Sequence, residues 1–354
     1  MNLRVLLLYP FTVLYTLITV FRNHLFNIKY SRSFNYDIMT INIGNLSVGG
    51  TGKTPMVEYL IKILKGRYSL ATLSRGYKRK SNGFLIAKSS STVNDLGDEP
   101  YQFYSKFGEE VTVAVGENRS LAIPRILMEH PETQTILLDD AYQHRTVTPD
   151  FNVLLTQFSS PFYEDFVLPS GYLRETRAGA KRANVVVVTK CPTELSVSFK
   201  EEIKEKVAKY SNQGTPIYFS SINYGMPVSF NEAQKFSGKV ILFAGLADIA
   251  PLEEYVGSSF NMIKAISFSD HYDYKSKDIE GLVNLAKAHN AQLLTTEKDM
   301  VKIRSNKLFE TGNSMGLYYL PISVQFLFSE ANEFDSLIKN AIISKYEQEE
   351  TDKE

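Results

Sequence analysis

Residues 44–55 read GNLSVGGTGKTP and follow directly on the apolar run MTINI at 39–43. A strand that empties into a glycine-crowded loop closing on Lys-Thr is built to hold phosphate. Gly49, Gly50 and Gly52 permit conformations and close approaches that side chains would block, so consecutive N–H groups can face phosphate oxygens. Ser47, Val48 and Thr51 complete the loop. Lys53 is placed to neutralise the β- and γ-phosphates, and Thr54 offers a hydroxyl to Mg²⁺ at the start of a helix. Pro55 suits the first helical turn, where its missing N–H costs little. The generic pattern has glycine where this chain has Ser47, the loop's one departure.

Outward from the loop, Met56, Val57, Leu60, Ile61 and Leu64 carry helical spacing, giving strand, loop and helix in sequence. Further strands are expected at 68–74, 111–116, 135–140, 151–157, 183–190, 239–245 and 291–297, with helices at 119–129 and 278–289. Several of these strands are continuous apolar runs, as parallel strands buried on both faces should be. The alternation predicts an α/β fold of the P-loop NTPase kind: a parallel sheet layered with helices, its ligand edge at the carboxyl ends of the strands. A second, smaller α/β lobe is expected to complete the cleft. The expected division is an N-terminal membrane-associated helix at 1–30, a P-loop core at 31–149, the second lobe at 150–320, and a C-terminal helix with a charged tail at 321–354.

The segment TILLDDAYQHR (135–145) supplies the metal edge, since an apolar strand ending in two acids brings carboxylates to the nucleotide. Either Asp139 or Asp140 can hold Mg²⁺ beside Thr54. A guanine-binding protein would follow that aspartate with a glycine and later carry an Asn/Thr-Lys-x-Asp motif. Tyr142 and Gln143 stand at the glycine offset, and Thr189-Lys190-Cys191-Pro192 ends in proline. Adenine is therefore the expected base. LGDEP (96–100) and FSDHYDY (268–274) supply a carboxylate and an imidazole, Asp98 and His271, able to accept a hydroxyl proton as a pair, with His144 competing for the role. Arg174, Arg177 and Lys181 share spacing on a helix face with Arg182 beside them, while SRGYKRK (74–80) and GENR (116–119) set Arg75 and Arg119 next to glycines. These cations are candidates to meet a substrate phosphate or lipid headgroups.

The apolar leader is the remaining oddity. Its core at 5–21 is shorter than the roughly 20 residues that comfortably span a bilayer, and no small-residue cleavage site follows it. With Arg4 before it and Arg22, Lys29 and Arg32 after it, the segment fits a retained helix lying in the membrane surface. Across the 354 residues, 39 basic and 39 acidic side chains balance, so nothing global points to nucleic acid. The single cysteine, Cys191, excludes an internal disulfide framework.

Taken together, LLYPFTVLY, GNLSVGGTGKTP, LSRGYKRK, GDEP, LDDAYQHR, LPSGYLRE, KRANVVVVTK, FAGLAD, FSDHYDY and TTEKDMVKI resemble, in this order over about residues 1–305, the tetraacyldisaccharide 4'-kinases of lipid A biosynthesis. On that resemblance Ser47 belongs to a family variant of the loop. The resemblance implies an ATP- and Mg²⁺-dependent kinase acting on the 4'-hydroxyl of a tetraacylated glucosamine disaccharide 1-phosphate, at the cytoplasmic face of a Gram-negative inner membrane. No obligate protein partner is expected. The resemblance also implies nucleotide roles for Lys53 and Thr54, a metal edge at Asp139 and Asp140, a catalytic pair in Asp98 and His271, and a further active-site carboxylate in Glu175. Arg75, Arg119 and Arg174 are the expected substrate contacts. The chain departs from the family pattern at DDAYQH, where Ala141 replaces a glycine. The rival expectations are a membrane-tethered ATPase or GTPase switch and a non-enzymatic anion-binding module.

Overall fold

The structure is a computed structural model that describes residues 3–230, 235–305 and 316–351. Its larger sheet has nine strands, in the spatial order Ile322–Phe326, Ile217–Tyr224, Val185–Thr189, Phe151–Gln157, Met39–Asn45, Thr135–Asp139, Leu70–Ser74, Val111–Val115 and Leu85–Ile86. All neighbours pair in parallel except the outermost strand at each edge. Both edges are thus closed by short antiparallel strands, which limits the exposed backbone open to unwanted pairing.

The continuous apolar runs are explained by burial on two faces. Ile41, Ile43 and Leu137 pack under the helix Lys53–Leu64 and, through Phe334, Ile338 and Ile342, under the C-terminal helix Ala331–Thr351. Ile136, Leu138, Ala71 and Leu73 point the other way, onto Ala122, Ile123 and Ile126 of the helix Arg119–Glu129. The phosphate-loop strand Met39–Asn45 is central and fully buried, with the chain winding away from it in both directions. A strand at that reversal point opens a crevice at its carboxyl end, where ligands bind in open α/β sheets.

The smaller sheet orders Asn261–Phe268, Lys239–Gly245, Gln292–Thr296, Leu317–Leu320 and Val228–Ser229, the last pairing antiparallel. Residue 150, the expected lobe boundary, is not a change of sheet. Phe151–Gln157 pairs directly with the phosphate-loop strand, and Val185–Thr189 and Ile217–Tyr224 extend the same sheet. The chain leaves the large sheet after Tyr224 and returns at Ile322, which pairs back onto Tyr224. The two crossings lie side by side, with Gly225 N–H donating to the Pro321 carbonyl at 2.8 Å. The fold class expected from sequence is present; the second sheet occupies only about the stretch between these crossings.

The N-terminal helix Leu3–Asn27 lies against the large lobe. Thr12 Oγ1 meets Ser170 Oγ at 2.7 Å, Tyr15 donates to the Arg174 carbonyl at 3.2 Å, and Arg145 donates to the Asn23 carbonyl at 2.9 Å. Its outer face leaves Phe11, Leu14, Leu17, Ile18 and Phe21 exposed. Among the described residues no helix is long and apolar enough to cross a membrane. Arg22, expected to face headgroups, is exposed but also donates to the Gln143 carbonyl at 3.0 Å. The side chain of Arg4 and residues 352–354 of the expected tail lie outside the described residues, and the tail up to Thr351 is helical.

Candidate active site

The phosphate loop is held by its surroundings before any ligand is considered. Asn45, at the strand end, donates through Nδ2 to Thr51 Oγ1 at 2.8 Å, and Thr189 Oγ1 donates to the Thr51 carbonyl at 2.9 Å. Ser47 forms an antiparallel bridge with Leu173, and Val48 N–H donates to the Tyr172 carbonyl at 2.8 Å. The position that departs from the generic pattern is therefore a backbone pairing point. Gly52 has φ +83° immediately before the helix Lys53–Leu64, a left-handed conformation that a side chain would strain. The turn it permits puts Lys53 and Thr54 on the first helical turn, where N–H groups and the helix dipole favour an anion.

The two aspartates after Thr135–Asp139 sit in unlike environments. Asp139 is buried, accepts from Ser74 Oγ at 3.1 Å, and is pushed up to about 7 by burial, then by Glu99 and Asp140. Asp140 takes φ +49° and turns outward. Burial alone would raise it, but Lys53 at 3.8 Å and a bidentate Arg174 at 2.9 and 3.2 Å hold it below the usual carboxylate range. The pair thus carries one weakly acidic and one firmly ionised carboxyl, side by side. Ala141 packs its methyl into the core that the helix Arg119–Glu129 covers.

From the other side of the cleft comes a carboxylate–imidazole pair. Gly97 has φ +90°, and a Cβ there would lie 2.8 Å from the Tyr77 carbonyl, so only glycine makes this entry into the helix Asp98–Phe107. Asp98 lands on the first helical turn, where the dipole favours a negative charge. Its Oδ2 lies 2.9 Å from His271 Nδ1 and 3.1 Å from Lys302 Nζ. Burial would raise the Asp98 carboxyl, but His271 and Lys302 outweigh it and keep it lowered. His271 follows the strand Asn261–Phe268 in the smaller sheet, so two lobes contribute to one pair. Helix-to-helix contact joins them again where Lys106 reaches Glu58 at 2.5 Å and Glu297 at 2.7 Å.

Other expected contacts fall elsewhere. Arg119 is fully buried, donates to the carbonyls of Gly116 and Asp139 at 2.6 and 3.3 Å, and is lowered to about 10 by burial. It braces the strand end beneath Asp139 and has no surface to offer a substrate. Arg75 is exposed, while Arg174 already grips Asp140. The expected helix face of Arg174, Arg177 and Lys181, with Arg182 beside it, does not form. Only a short 3-10 helix, Arg177–Arg182, spans the region, with Arg177 bonded to Tyr210 and the Asp165 carbonyl. Glu175 is buried, paired with Arg182 at 2.7 and 3.0 Å, and accepts from Asn23 at 2.8 Å and Gln143 at 3.1 Å. The structure gives it a tethering place rather than an open one. His144 is lowered to about 4 by burial and by Arg119 and Arg75.

Three side chains escaped the sequence reading. Ser74 ends a strand beside Asp139, and Lys302 lies within TTEKDMVKI without a motif of its own. Lys190 takes φ +56° at the end of Val185–Thr189, its ammonium 3.8 Å from where a Gly50 Cβ would stand. The Thr189-Lys190 dipeptide at that strand end is the signal that the sequence carries for it.

The family model described as tetraacyldisaccharide-1-P 4'-kinase matches residues 4–343. A tetraacyldisaccharide 4'-kinase of Flavobacterium johnsoniae is 44% identical, with 94% of this chain and 96% of that protein covered. One from Bacteroides thetaiotaomicron is 37% identical, with 94% and 91% covered. The crystal structure of LpxK from Aquifex aeolicus in complex with ATP superposes with a TM-score of 0.73 at 28% identity, covering 96% of this chain and 100% of that one. A match this long, with the phosphate loop, the paired acids and the two-lobed cleft in place, assigns the chain to the tetraacyldisaccharide 4'-kinase family.

Proposed function

We infer that the chain transfers the γ-phosphoryl group of ATP to the 4'-hydroxyl of a tetraacyldisaccharide 1-phosphate, giving lipid IVA. The observation that carries the reading is a carboxylate–imidazole pair, Asp98 and His271, drawn together from both lobes of a chain whose central strand ends in a phosphate loop. Phosphoryl transfer asks the protein mainly for positioning and charge stabilisation. The loop N–H groups and Lys53 would seat the phosphates. With Nδ1–H donated to Asp98, His271 keeps Nε2 for the sugar hydroxyl. As the new P–O bond forms and the bond to ADP breaks, that proton passes to Nε2 and then to solvent.

Mg²⁺ fits the oxygen donors present. A hydroxyl from Thr54 and a carboxylate from Asp139 or Asp140 make the small, hard set it prefers, with phosphate and water supplying the rest. Among the described residues no cluster of three or more acidic, His or Cys side chains could cage a metal alone. When bound, the ion neutralises charge that develops on the phosphates. Arg75, exposed directly after the strand Leu70–Ser74, is the remaining candidate for the substrate's 1-phosphate.

An acceptor with four acyl chains stays in the bilayer, since each buried CH₂ holds it by about 0.8 kcal/mol. The exposed apolar face of the N-terminal helix is the surface that would meet it. Beside that helix runs a groove of about 670 Å³ lined by Val13, Leu17, Phe166 and Val167, with Arg177 and Lys181. We place the enzyme on the cytoplasmic face of the inner membrane, where ATP is made available, acting without an obligate protein partner.

The test is incubation of the full chain with ATP, Mg²⁺ and the lipid disaccharide. Phosphate on the lipid is the expected product. Release of free phosphate with no lipid acceptor would favour a nucleotide switch, and anion binding without turnover would favour a binding module. Asp98→Ala and His271→Ala should each cut turnover by about 10²–10⁴-fold with ATP affinity nearly intact; near-normal turnover in both would remove the pair from the mechanism.

A further inference from the structure

The pair described above is a triad in space. Lys302, on the helix Glu297–Ser305, is buried and divides its ammonium between Asp98 Oδ2 at 3.1 Å and the Tyr272 carbonyl at 3.1 Å. His271 Nδ1 reaches the same Oδ2 at 2.9 Å. One carboxylate oxygen therefore receives a full cation and an imidazole N–H together. An oxygen so engaged is a poor proton acceptor, because taking a proton would break a charge-assisted bond on each side.

We propose that Lys302 is a positioning residue for phosphoryl transfer: it keeps Asp98 an anionic hydrogen-bond acceptor, so that His271 Nε2 takes the proton of the acceptor hydroxyl. The inference rests on the proposed role of the Asp98–His271 pair and divides the labour within it. Lys302 acts in two ways at once. Its charge fixes the state of Asp98, and its bond to Tyr272 anchors the backbone next to His271, which sits at φ +55°.

The other groups facing the triad are few. Asp270 Oδ1 lies 4.0 Å from His271 Nε2 and is itself held by Lys298 at 2.9 Å. Glu99 neighbours Asp98 on the same helix turn, and the Tyr77 ring stands edge-on to the imidazole at 5.4 Å. Among the described ion pairs, Lys302 is the lysine in direct contact with Asp98, so its charge is removed with Lys302→Met and kept with Lys302→Arg.

Lys302→Met removes the charge while keeping most of the stem. Without the cation, Asp98 binds a proton more readily and ceases to be a fixed anionic acceptor for His271 Nδ1. That moves the acidic limb of the kcat profile to higher pH, by about one pH unit for a partner in direct contact. Full-length enzyme assayed at saturating ATP and lipid should then lose about tenfold on the acidic limb and recover toward wild type at higher pH. Lys302→Arg, which keeps the charge, should leave the limb near its wild-type position.

A uniform loss in Lys302→Met with an unmoved limb would overturn the proposal, because that is what mere structural damage does. The pair itself is judged separately: active Asp98→Ala and His271→Ala enzymes would defeat the underlying reading, whereas inactive ones with an unmoved Lys302→Met limb defeat only this inference. Should Lys302→Met fail to fold, Lys302→Gln takes its place with the same limb shift expected and an unmoved limb again overturning the proposal, and ¹⁵N-histidine NMR of the wild type tests the part assigned to His271. A proton on His271 Nδ1 with Nε2 as the acceptor supports the division of labour, and the opposite tautomer overturns it.

Discussion

Glu175→Ala separates tethering from chemistry. The wild-type carboxylate, 1% exposed, receives both arms of Arg182 and the side-chain amides of Asn23 and Gln143. Removing it leaves a guanidinium and two amides without that acceptor. Breaking a buried ion pair from one side costs about 3–5 kcal/mol. Arg182 keeps a quarter of its side chain in contact with water, which supports the low end, about 3 kcal/mol. For a chain of this size that is a fall of roughly 4 °C in melting temperature. Urea unfolding followed by circular dichroism gives the stability, and turnover corrected to the folded fraction gives the chemistry. The expected variant is clearly less stable yet turns over within about tenfold of wild type per folded molecule. A loss of a hundredfold or more at unchanged midpoint would refute the tethering account and return Glu175 to the reaction.

The remaining predictions probe other links. Gly97→Ala should cost about 1–3 kcal/mol, because its Cβ meets the Tyr77 carbonyl, and should depress kcat as Asp98 shifts; unchanged melting and kcat would show that the backbone there relaxes freely. Asp98→Asn should be destabilised most at neutral pH. The Asp98 carboxyl is held below 3.8 in the folded chain, so its contribution is present above that value and is lost as pH falls through the folded value. A deficit that does not narrow in acid denaturation curves would contradict that sign. Leu14→Asp with Leu17→Asp places charges on two exposed positions and should weaken sedimentation with anionic vesicles by roughly a hundredfold, about 3 kcal/mol of lost apolar burial. Unchanged sedimentation would remove that face from membrane contact.

Local signals in the chain were strong where one element decides its own structure. The run at 151–157 and the helix at 119–129 appear with the expected bounds, because buried parallel strands and amphipathic helices write their environment into their composition. Strands that depend on neighbours were not seen. Asn261–Phe268 is an edge strand with no fully buried residue, and Ile217–Tyr224 is interrupted by serines. Those omissions also hid the return of Ile322–Phe326 to the large sheet and drew the lobe boundary too early. At the site, the loop and the two aspartates were legible because a short segment carries each. Asp98 and His271 lie 173 positions apart, and motif resemblance paired them where composition alone could not decide. Arg119 and Glu175 show the reverse limit. A charged residue beside a glycine or in a motif reads as available, and only packing reveals that both are enclosed.

The dipeptide Arg174-Glu175 has a consequence for where chemistry can occur. Arg174 holds Asp140 with its guanidinium while its carbonyl accepts from Tyr15, and Glu175 accepts from Asn23. Two side chains of the N-terminal helix are thereby fastened to the segment that fixes the outward carboxylate. If the helix rests at the lipid surface, it would serve as a depth gauge, the fold setting the height of the reacting phosphate above that surface. The sugar hydroxyl would then have to rise to that height, and headgroup reach would become a measure of which lipids can be phosphorylated.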